Sequence, residues 1–225
     1  MKREHLEEIA RQLTTAEDSI IYFCENVLTH DPHNAVKVRP FPIWKEYLKR
    51  TMTIAHTAKQ CAFYKSRQMM VTWAMCVECC HTVLFSPGME VGVLSRKEES
   101  AGKLIQRVKF IYDHLPYHWQ KFLPEVQFYY GKKHIPNKMV VRHHGEPEAV
   151  IQAFAEGEDQ SRMEVLSLAY WDEVGFCVPS EVAENTYAGL MPTLSGGGRL
   201  LMSSTPPRDP EHFWHKLTHG QYLHQ

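Results

Sequence analysis

The feature that most constrains the fold is a short apolar run that ends in two adjacent carboxylates. Val165–Glu173 reads Val-Leu-Ser-Leu-Ala-Tyr-Trp-Asp-Glu, which is too short to span a membrane and typical of a strand buried on both faces. Ligands of open α/β sheets bind outside the carboxyl ends of the strands, so Asp172 and Glu173 are predicted to face a site. One carboxylate can hold a metal ion, and the other can orient or deprotonate a water. The alternative is a strand that ends in two solvated acids.

The composition indicates a soluble protein, and the overall charge gives no argument for nucleic-acid binding. The 225 residues are 44% hydrophobic and 23% charged, which suits one large α/β domain or two small ones. The formal net charge is -1, so any contact with nucleic acid would need a local patch. Charged residues interrupt the longest apolar stretches, and no signal-peptide core follows the first residues. We therefore expect a soluble intracellular protein without membrane contact.

The six cysteines include one cluster that invites a metal interpretation. Cys76, Cys79, Cys80 and His81 lie within Thr72–Phe85, whose apolar content is typical of a buried helix. A second set of ligands at zinc-site spacing is missing from the sequence. We therefore predict that these cysteines are core residues.

Strand-like and helix-like segments alternate along the chain, which predicts a largely parallel, three-layer α/β sheet. Helices are predicted at Glu4–Leu28, Trp44–Arg50, Thr72–Phe85, Lys97–Phe122 with a break at Pro116, and Ser180–Leu190. Strands are predicted at Thr51–Ala58 or Cys61–Tyr64 or both, and at Glu90–Ser95, Val165–Glu173 and Arg199–Ser203. Antiparallel strands added to this sheet are predicted at Val126–Tyr130, Met139–His143 and Val150–Phe154. Residues 1–34 are predicted to be an N-terminal helical segment, and residues 35–225 the α/β domain.

A polar loop between a predicted strand and a predicted helix is a candidate phosphate site. Such a loop can turn its backbone N–H groups toward phosphates, below which the helix begins. Thr72 stands at the start of the helix, where its hydroxyl can bind Mg²⁺. The candidate phosphate-binding residues are Lys65, Ser66, Arg67, Gln68, Met69, Met70, Val71 and Thr72.

This loop departs from the standard Gly-x4-Gly-Lys-Ser/Thr pattern at two positions. Met70 and Val71 stand where the pattern has glycine and lysine. Without the glycine, we expect Met70 to avoid positive φ and the loop to be wider than a standard one or different from it in detail. Without the lysine, Lys65 and Arg67 are the candidate cations for the phosphates.

These motifs resemble those of viral large terminase subunits, the DNA-packaging motors of tailed phages. Tyr64–Thr72 resembles the family's variant Walker A loop, which in some members carries its lysine at the start, where Lys65 stands. Asp172-Glu173 resembles the Walker B pair, and Leu201-Met-Ser-Ser-Thr-Pro-Pro resembles the coupling motif. Arg162, in the loop before the predicted Walker B strand, matches the position of an arginine finger that acts across subunits.

The resemblance implies a P-loop NTPase fold of the additional-strand type over residues 35–225, with ATP and Mg²⁺ as ligands. Thr72 and Asp172 are then expected to hold Mg²⁺, and Glu173 to activate the attacking water. Lys65 and Arg67 are expected to neutralise charge on the phosphates.

Further roles are implied by the same resemblance. Arg162 is expected to complete the active site of a neighbouring subunit as a trans arginine finger. Ser203, Ser204 and Thr205 are expected to sense the γ-phosphate and to couple hydrolysis to movement of DNA. Trp44 lies where the family has an aromatic residue near the adenine, and it is either a stacking residue or plain core.

The resemblance also implies partners and a place of action. We expect a ring of five copies in the host cytoplasm, docked on the portal protein of a procapsid, that works with the small terminase subunit and moves double-stranded DNA. Only Asp209 and Glu211 follow Thr205 as acids, so we expect the motor domain alone, without the nuclease domain. Two other function classes stay open: a helicase-like or DNA-repair ATPase motor, and a degenerate nucleotide-binding assembly module without turnover.

Overall fold

The computed structural model describes residues 3–30, 36–157 and 165–219. Its strands are β1 (Leu28–His30), β2 (Val38–Pro40), β3 (Gln60–Tyr64), β4 (Glu90–Ser95), β5 (Glu125–Tyr130), β6 (Pro136–Arg142), β7 (Ala149–Ala155), β8 (Leu168–Asp172) and β9 (Arg199–Ser204). Its α-helices are α1 (Arg3–Asp18), α2 (Ile20–Glu25), α3 (Glu46–Thr57), α4 (Val71–Phe85), α5 (Glu98–Asp113), α6 (Tyr117–Gln120), α7 (Ser180–Thr193) and α8 (Phe213–Thr218). Short 3₁₀ turns occur at Lys132–His134 and Val174–Phe176.

A seven-stranded sheet in the order β3-β9-β8-β4-β7-β6-β5 forms the centre of the fold. The five strands from β3 to β7 in this order are parallel, and β6 and β5 continue the sheet in antiparallel orientation. The mainly parallel sheet with added antiparallel strands is therefore confirmed. One detail differs, because β7 is antiparallel to β6 but parallel to β4. Strands β1 and β2 form a separate antiparallel pair.

Strand β8 shows how the three predicted layers arise. Leu168 and Tyr170 belong to one apolar core, which the residues of α1–α5 complete, whereas Ala169 and Trp171 belong to a second core with residues of α7 and α8. Alternate side chains of a strand point to opposite faces of its sheet, so each face carries its own layer of helices. Burial on both faces is what the apolar run predicted. None of the helices in the described part of the chain has the length and apolar character needed to cross a membrane.

Helix α4 is buried on almost every side, which explains its cysteines. Cys76, Cys79 and Cys80 are at most 1% exposed and pack in the first of these cores. The prediction of core cysteines is therefore confirmed. Burial raises the pKa of each thiol, and that of Cys76 reaches about 12, so these side chains stay protonated and apolar.

One or both of Thr51–Ala58 and Cys61–Tyr64 were predicted to be strands, and only the second is one, within β3. Helix α3 continues through the first segment to Thr57, and Leu48, Met52 and Ala55 form its buried stripe. Spacings of four and three residues are helical, and this burial overrides the strand propensity of the threonines and the isoleucine.

Several predicted boundaries also move. The first helical stretch ends at Glu25 instead of Leu28, where β1 begins, and α3 begins at Glu46 instead of Trp44. Helix α5 ends at Asp113, before Pro116, which confirms the predicted break. The predicted division near residue 34 falls on residues 31–35, outside the described residues, so it stays a prediction.

A buried ion pair ties helix α4 to the sheet. Glu78 of α4 is fully buried and accepts a 2.7 Å hydrogen bond from Arg199 of β9, which also donates to the carbonyls of Ala55 and His56. Burial raises the pKa of Glu78, but the His56 contact and the Arg199 charge outweigh burial and hold it below its usual 4.5. This stabilisation is therefore present above the unfolded-state pKa and lost as the pH falls through the lower folded-state pKa.

Arg199→Met should lower the free energy of unfolding by about 3–5 kcal/mol, because Glu78 would stay buried without its guanidinium partner. Urea unfolding at neutral pH measures this change. The exposed Arg208 serves as the control, and Arg208→Met should change stability by less than about 0.5 kcal/mol. Equal stability of the two variants would contradict the role of the pair.

Candidate functional site

A cavity of about 1040 Å³ opens at the carboxyl ends of the central parallel strands. The whole predicted phosphate loop, Lys65 to Thr72, lines it, together with Glu173, Thr205 and Trp44. Segments that are far apart in the sequence thus meet where the apolar strand predicted a site. Asp172, Ser203 and Ser204 lie beside it and are buried, whereas Arg162 falls outside the described residues.

Lys65, Thr72 and Asp172 form the centre of the site. The Lys65 ammonium donates to Thr72 Oγ1 at 2.7 Å and to Asp172 Oδ1 at 2.9 Å. Thr72 Oγ1 lies 3.3 Å from Asp172 Oδ2. The side chains of Lys65 and Asp172 are only 10% and 9% exposed, so the ion pair is poorly screened by water. The displaced lysine predicted from the loop is therefore placed against both predicted metal ligands.

The Thr72 hydroxyl and the Asp172 carboxylate suit a magnesium ion. Both offer hard oxygen atoms, and a cation already lies against them in the form of the Lys65 ammonium. Mg²⁺ sites of nucleotide enzymes commonly use one or two protein oxygens, while substrate phosphates and water complete the shell. Groups of three or more histidine, cysteine or acidic side chains that could bind a metal are absent from the described residues, so a metal here would depend on such external ligands.

The three predicted coupling residues occupy different environments. Ser203 Oγ donates to Asp172 Oδ1 at 2.8 Å and lies 2.9 Å from the Tyr170 hydroxyl. Ser204 Oγ accepts a 2.8 Å hydrogen bond from the Gly175 N–H and donates to the Thr205 carbonyl. Both serines are fully buried, and Thr205 alone of the three lines the cavity.

Glu173 lies at the rim of the cavity because the backbone turns sharply there. Its φ of 62° and ψ of 37° are left-handed, and its N–H donates to the Ser203 carbonyl at 2.7 Å. This turn ends the alternation of β8, so Asp172 is buried while the Glu173 side chain is exposed. Within the described part of the chain, the Glu173 carboxylate has no ion pair or hydrogen bond. A free carboxylate beside a cavity is able to accept a proton from water.

The prediction that Met70 avoids positive φ is wrong. Met70 has a φ of 58° and Gln68 a φ of 64°, the conformation that glycine adopts at little cost. The Met70 carbonyl accepts the first bond of α4, from Ala74, so the chain must turn into the helix at this residue. Left-handed non-glycine residues cost about 1–3 kcal/mol and persist where surrounding packing holds them. Met70 is held by its contact with the apolar core.

Positively charged side chains dominate the cavity wall. Its lining cations are Arg39, Lys45, Lys65, Arg67 and Arg107. Glu173 is the single carboxylate among the described lining residues. With the N-terminus of α4 at the floor, this wall is suited to a polyanion such as a triphosphate.

Sequence reasoning missed part of this wall. Arg107 of α5 stands 5.9 Å from the ring centroid of Trp73, and both side chains line the cavity, as does Arg39 of β2. Their segments carry no motif. The packing of α5 against α4 brings Arg107 to the loop, and Arg39 arrives there on β2, which pairs with β1 beside α5. Trp44 is 70% exposed and lines the cavity, so its alternative assignment as plain core is wrong.

Comparisons by sequence identify no relative, because neither a family model nor a curated protein matches the chain. Solved structures do match. The HK97 bacteriophage large terminase superposes with a TM-score of 0.62 at 13% identity, over 86% of this chain and 38% of that one. The Thermus phage P74-26 large terminase ATPase domain superposes with a TM-score of 0.50 at 18% identity, over 69% and 64%. This chain has the fold of a phage large terminase ATPase domain.

The large terminase of a thermophilic bacteriophage, solved in complex with ADP, shares this terminase fold with a TM-score of 0.52 at 13% identity. The match covers 77% of this chain and 43% of that one. The chain thus spans less than two thirds of the length of each of these terminases. The fold expected from the three motifs is confirmed, and the cavity lies at the strand ends of this terminase fold.

Proposed function

We propose that the chain is the ATPase of a DNA-packaging motor, which hydrolyses ATP with Mg²⁺ to move double-stranded viral DNA. The observation that carries this proposal is the contact of Lys65 with Thr72 and Asp172 at the floor of a cation-lined cavity. The Glu173 carboxylate at the rim, which has no ion pair or hydrogen bond among the described residues, would supply the base that hydrolysis needs. The terminase fold supports the same assignment.

Binding would begin with the phosphates over the loop. Lys65, Arg67 and the first residues of α4 line the cavity, and the cationic side chains together with the N–H groups at the helix start would hold the phosphate oxygens. Thr72 and Asp172 would hold Mg²⁺, which when bound polarises the phosphate oxygens and offsets their charge. Trp44, which also lines the cavity, would stack on the base.

Hydrolysis would use Glu173 as the base. Its carboxylate orients a water and accepts a proton while the water oxygen bonds to the γ-phosphorus. The bond from that phosphorus to the β–γ bridging oxygen breaks, and ADP and phosphate result. Lys65 and Arg67 neutralise charge that develops in the transition state. Arg162 of a neighbouring copy is proposed to add a further cation, a contribution of roughly 10³–10⁵ in rate for such fingers.

The partners belong to the same proposal. A ring of five copies on the portal of a procapsid would bring Arg162 of one copy to the site of the next. Such a ring, supplied with DNA by the small terminase subunit in the host cytoplasm, would pass double-stranded DNA through its centre.

A second candidate is a nucleotide-binding module without turnover. It is favoured by the loop, which has methionine at the glycine position and valine at the lysine position. In this case Lys65 would anchor phosphates, and the chain would respond to nucleotide as an assembly signal.

The two candidates are separated by phosphate release and nucleotide binding, measured on the same protein with and without double-stranded DNA. Mg²⁺-dependent release that DNA stimulates supports the motor. Tight binding of a fluorescent ATP analogue without release supports the module. Absence of both binding and release rejects the two candidates together.

A further inference from the structure

A chain of buried hydroxyl groups runs from the sheet to the carboxylate of Asp172. The Tyr170 hydroxyl lies 2.9 Å from Ser203 Oγ, which lies 2.8 Å from Asp172 Oδ1. Tyr170 and Ser203 are fully buried, and Asp172 is 7% exposed. The sequence assigned no role to Tyr170, and the resemblance placed Ser203 among the residues that sense the γ-phosphate.

The direction of each hydrogen bond follows from the number of protons. An ionised carboxylate only accepts, so Ser203 donates its single proton to Asp172. Ser203 has no second proton, so the bond between the two hydroxyl groups is donated by Tyr170.

These bonds fix how Asp172 presents its two oxygen atoms. Among the described residues, Oδ1 accepts from Ser203 and from Lys65, whereas Oδ2 has one longer contact, 3.3 Å from Thr72 Oγ1. Oδ2 is therefore the less engaged oxygen of the carboxylate, and it lies next to Thr72, which is the second oxygen donor of the predicted metal site. Partners that hold a ligand from behind in this way usually set its orientation and its affinity for metal.

The hydroxyl groups also connect two strands of the sheet. Tyr170 and Asp172 are two residues apart on β8 and share a face, and Asp172 lies opposite Ser203 of β9 in the parallel register. Thr205 follows two residues after Ser203 and faces the cavity. The end of β9 therefore carries one residue that contacts Asp172 and another that can contact a ligand.

We propose that Tyr170 and Ser203 are positioning residues, which hold Asp172 for a divalent cation, and that Thr205 is the coupling residue that contacts the nucleotide. Ser204 takes neither role, because its hydroxyl is bonded to the Gly175 N–H and the Thr205 carbonyl. The inference rests on the proposed function. It gives the residues of the coupling motif different roles, since Ser203 orients Asp172 and Thr205 contacts the nucleotide. A displacement of the β9 end on γ-phosphate loss would then move Asp172 as well.

The test compares Tyr170→Phe, Ser203→Ala and Thr205→Val with wild type. Mn²⁺ serves as the probe ion, and electron paramagnetic resonance measures its affinity in the presence of a non-hydrolysable ATP analogue. Tyr170→Phe and Ser203→Ala should weaken Mn²⁺ binding about 10-fold or more, with kcat recovered at saturating metal. Thr205→Val should leave Mn²⁺ affinity within about two-fold of wild type and lower kcat or the preference for ATP over ADP.

Tyr112→Phe is the matched control, because it removes a phenol hydroxyl from a half-buried tyrosine of α5 outside the cavity lining. It should match wild type in metal affinity and turnover.

Wild-type Mn²⁺ affinity in Tyr170→Phe would overturn the role of Tyr170 even if Ser203→Ala failed to fold. If Ser203→Ala kept Mn²⁺ affinity within about two-fold of wild type but lowered kcat or the preference for ATP over ADP, Ser203 would be a nucleotide-sensing residue. That result would overturn the separation of positioning residues from the coupling residue. Wild-type protein that binds neither nucleotide nor its Mn²⁺ complex would reject the proposed function together with this inference.

Discussion

Lys65→Met should reduce the rate of ATP hydrolysis by roughly 10³ or more, because it removes the cation nearest to both predicted metal ligands. Methionine keeps most of the length of the side chain and deletes only its charge. The same change leaves Asp172 without its ion-pair partner at 9% exposure, so the free energy of unfolding should fall by about 3 kcal/mol. Phosphate release at saturating ATP measures the first effect, and urea unfolding measures the second.

The control for Lys65 is Lys59→Met, since Lys59 is an exposed lysine just before β3 and does not line the cavity. It should leave turnover unchanged and stability within about 0.5 kcal/mol. If Lys65→Met kept full turnover and Arg67→Met lost turnover, Arg67 would be the essential cation at the phosphates. Full turnover in both variants would show that neither residue neutralises the transition state.

Glu173→Gln should lower ATP turnover by about 10²–10⁴ while nucleotide binding is retained, because the amide cannot accept the proton of the attacking water. Glutamine has the same shape, and the Glu173 side chain is exposed without a partner in the described part of the chain, so stability should change by less than about 0.5 kcal/mol. Single-turnover phosphate release separates the chemical step from binding, which a fluorescent ATP analogue reports independently.

Glu181→Gln serves as the control for Glu173, since Glu181 is an exposed glutamate in the first turn of α7. It should hydrolyse ATP at the wild-type rate. A Glu173→Gln variant that keeps full turnover would show that another group activates the water. A variant that loses nucleotide binding as well would move Glu173 from proton transfer to substrate binding.

The order of apolar and polar residues along the chain was sufficient to predict the carboxyl ends of the central strands and the three-layer arrangement of this fold. The apolar run into Asp172 predicted a buried strand, because a strand of a parallel sheet that is covered on both faces is apolar at nearly every position. Strand propensity alone left Thr51–Ala58 open as a second candidate strand, whereas the buried stripe of α3 there has helical spacing although the residues favour strands.

At the phosphate loop, the sequence predicted the candidate cations but not the backbone conformation. The sequence was sufficient to name Lys65 and Arg67 as the candidate cations for phosphates, because a strand, a polar loop and a helix follow one another there. The left-handed Met70 was not readable, since its conformation is imposed by the turn into α4 and by packing under the loop. A residue's own propensity is too weak to outweigh those constraints.

Asp172 and Glu173 show the same division between local sequence and packing. Their place at the end of a buried strand follows from side-chain chemistry over nine residues, and that information is local. Their separate environments depend on the left-handed turn at Glu173 and on hydroxyl groups from β9, and the cation wall depends on Arg39 and Arg107 from other elements. Such contacts join residues distant along the chain, and they exist only once the strands lie side by side, so no local pattern can encode them.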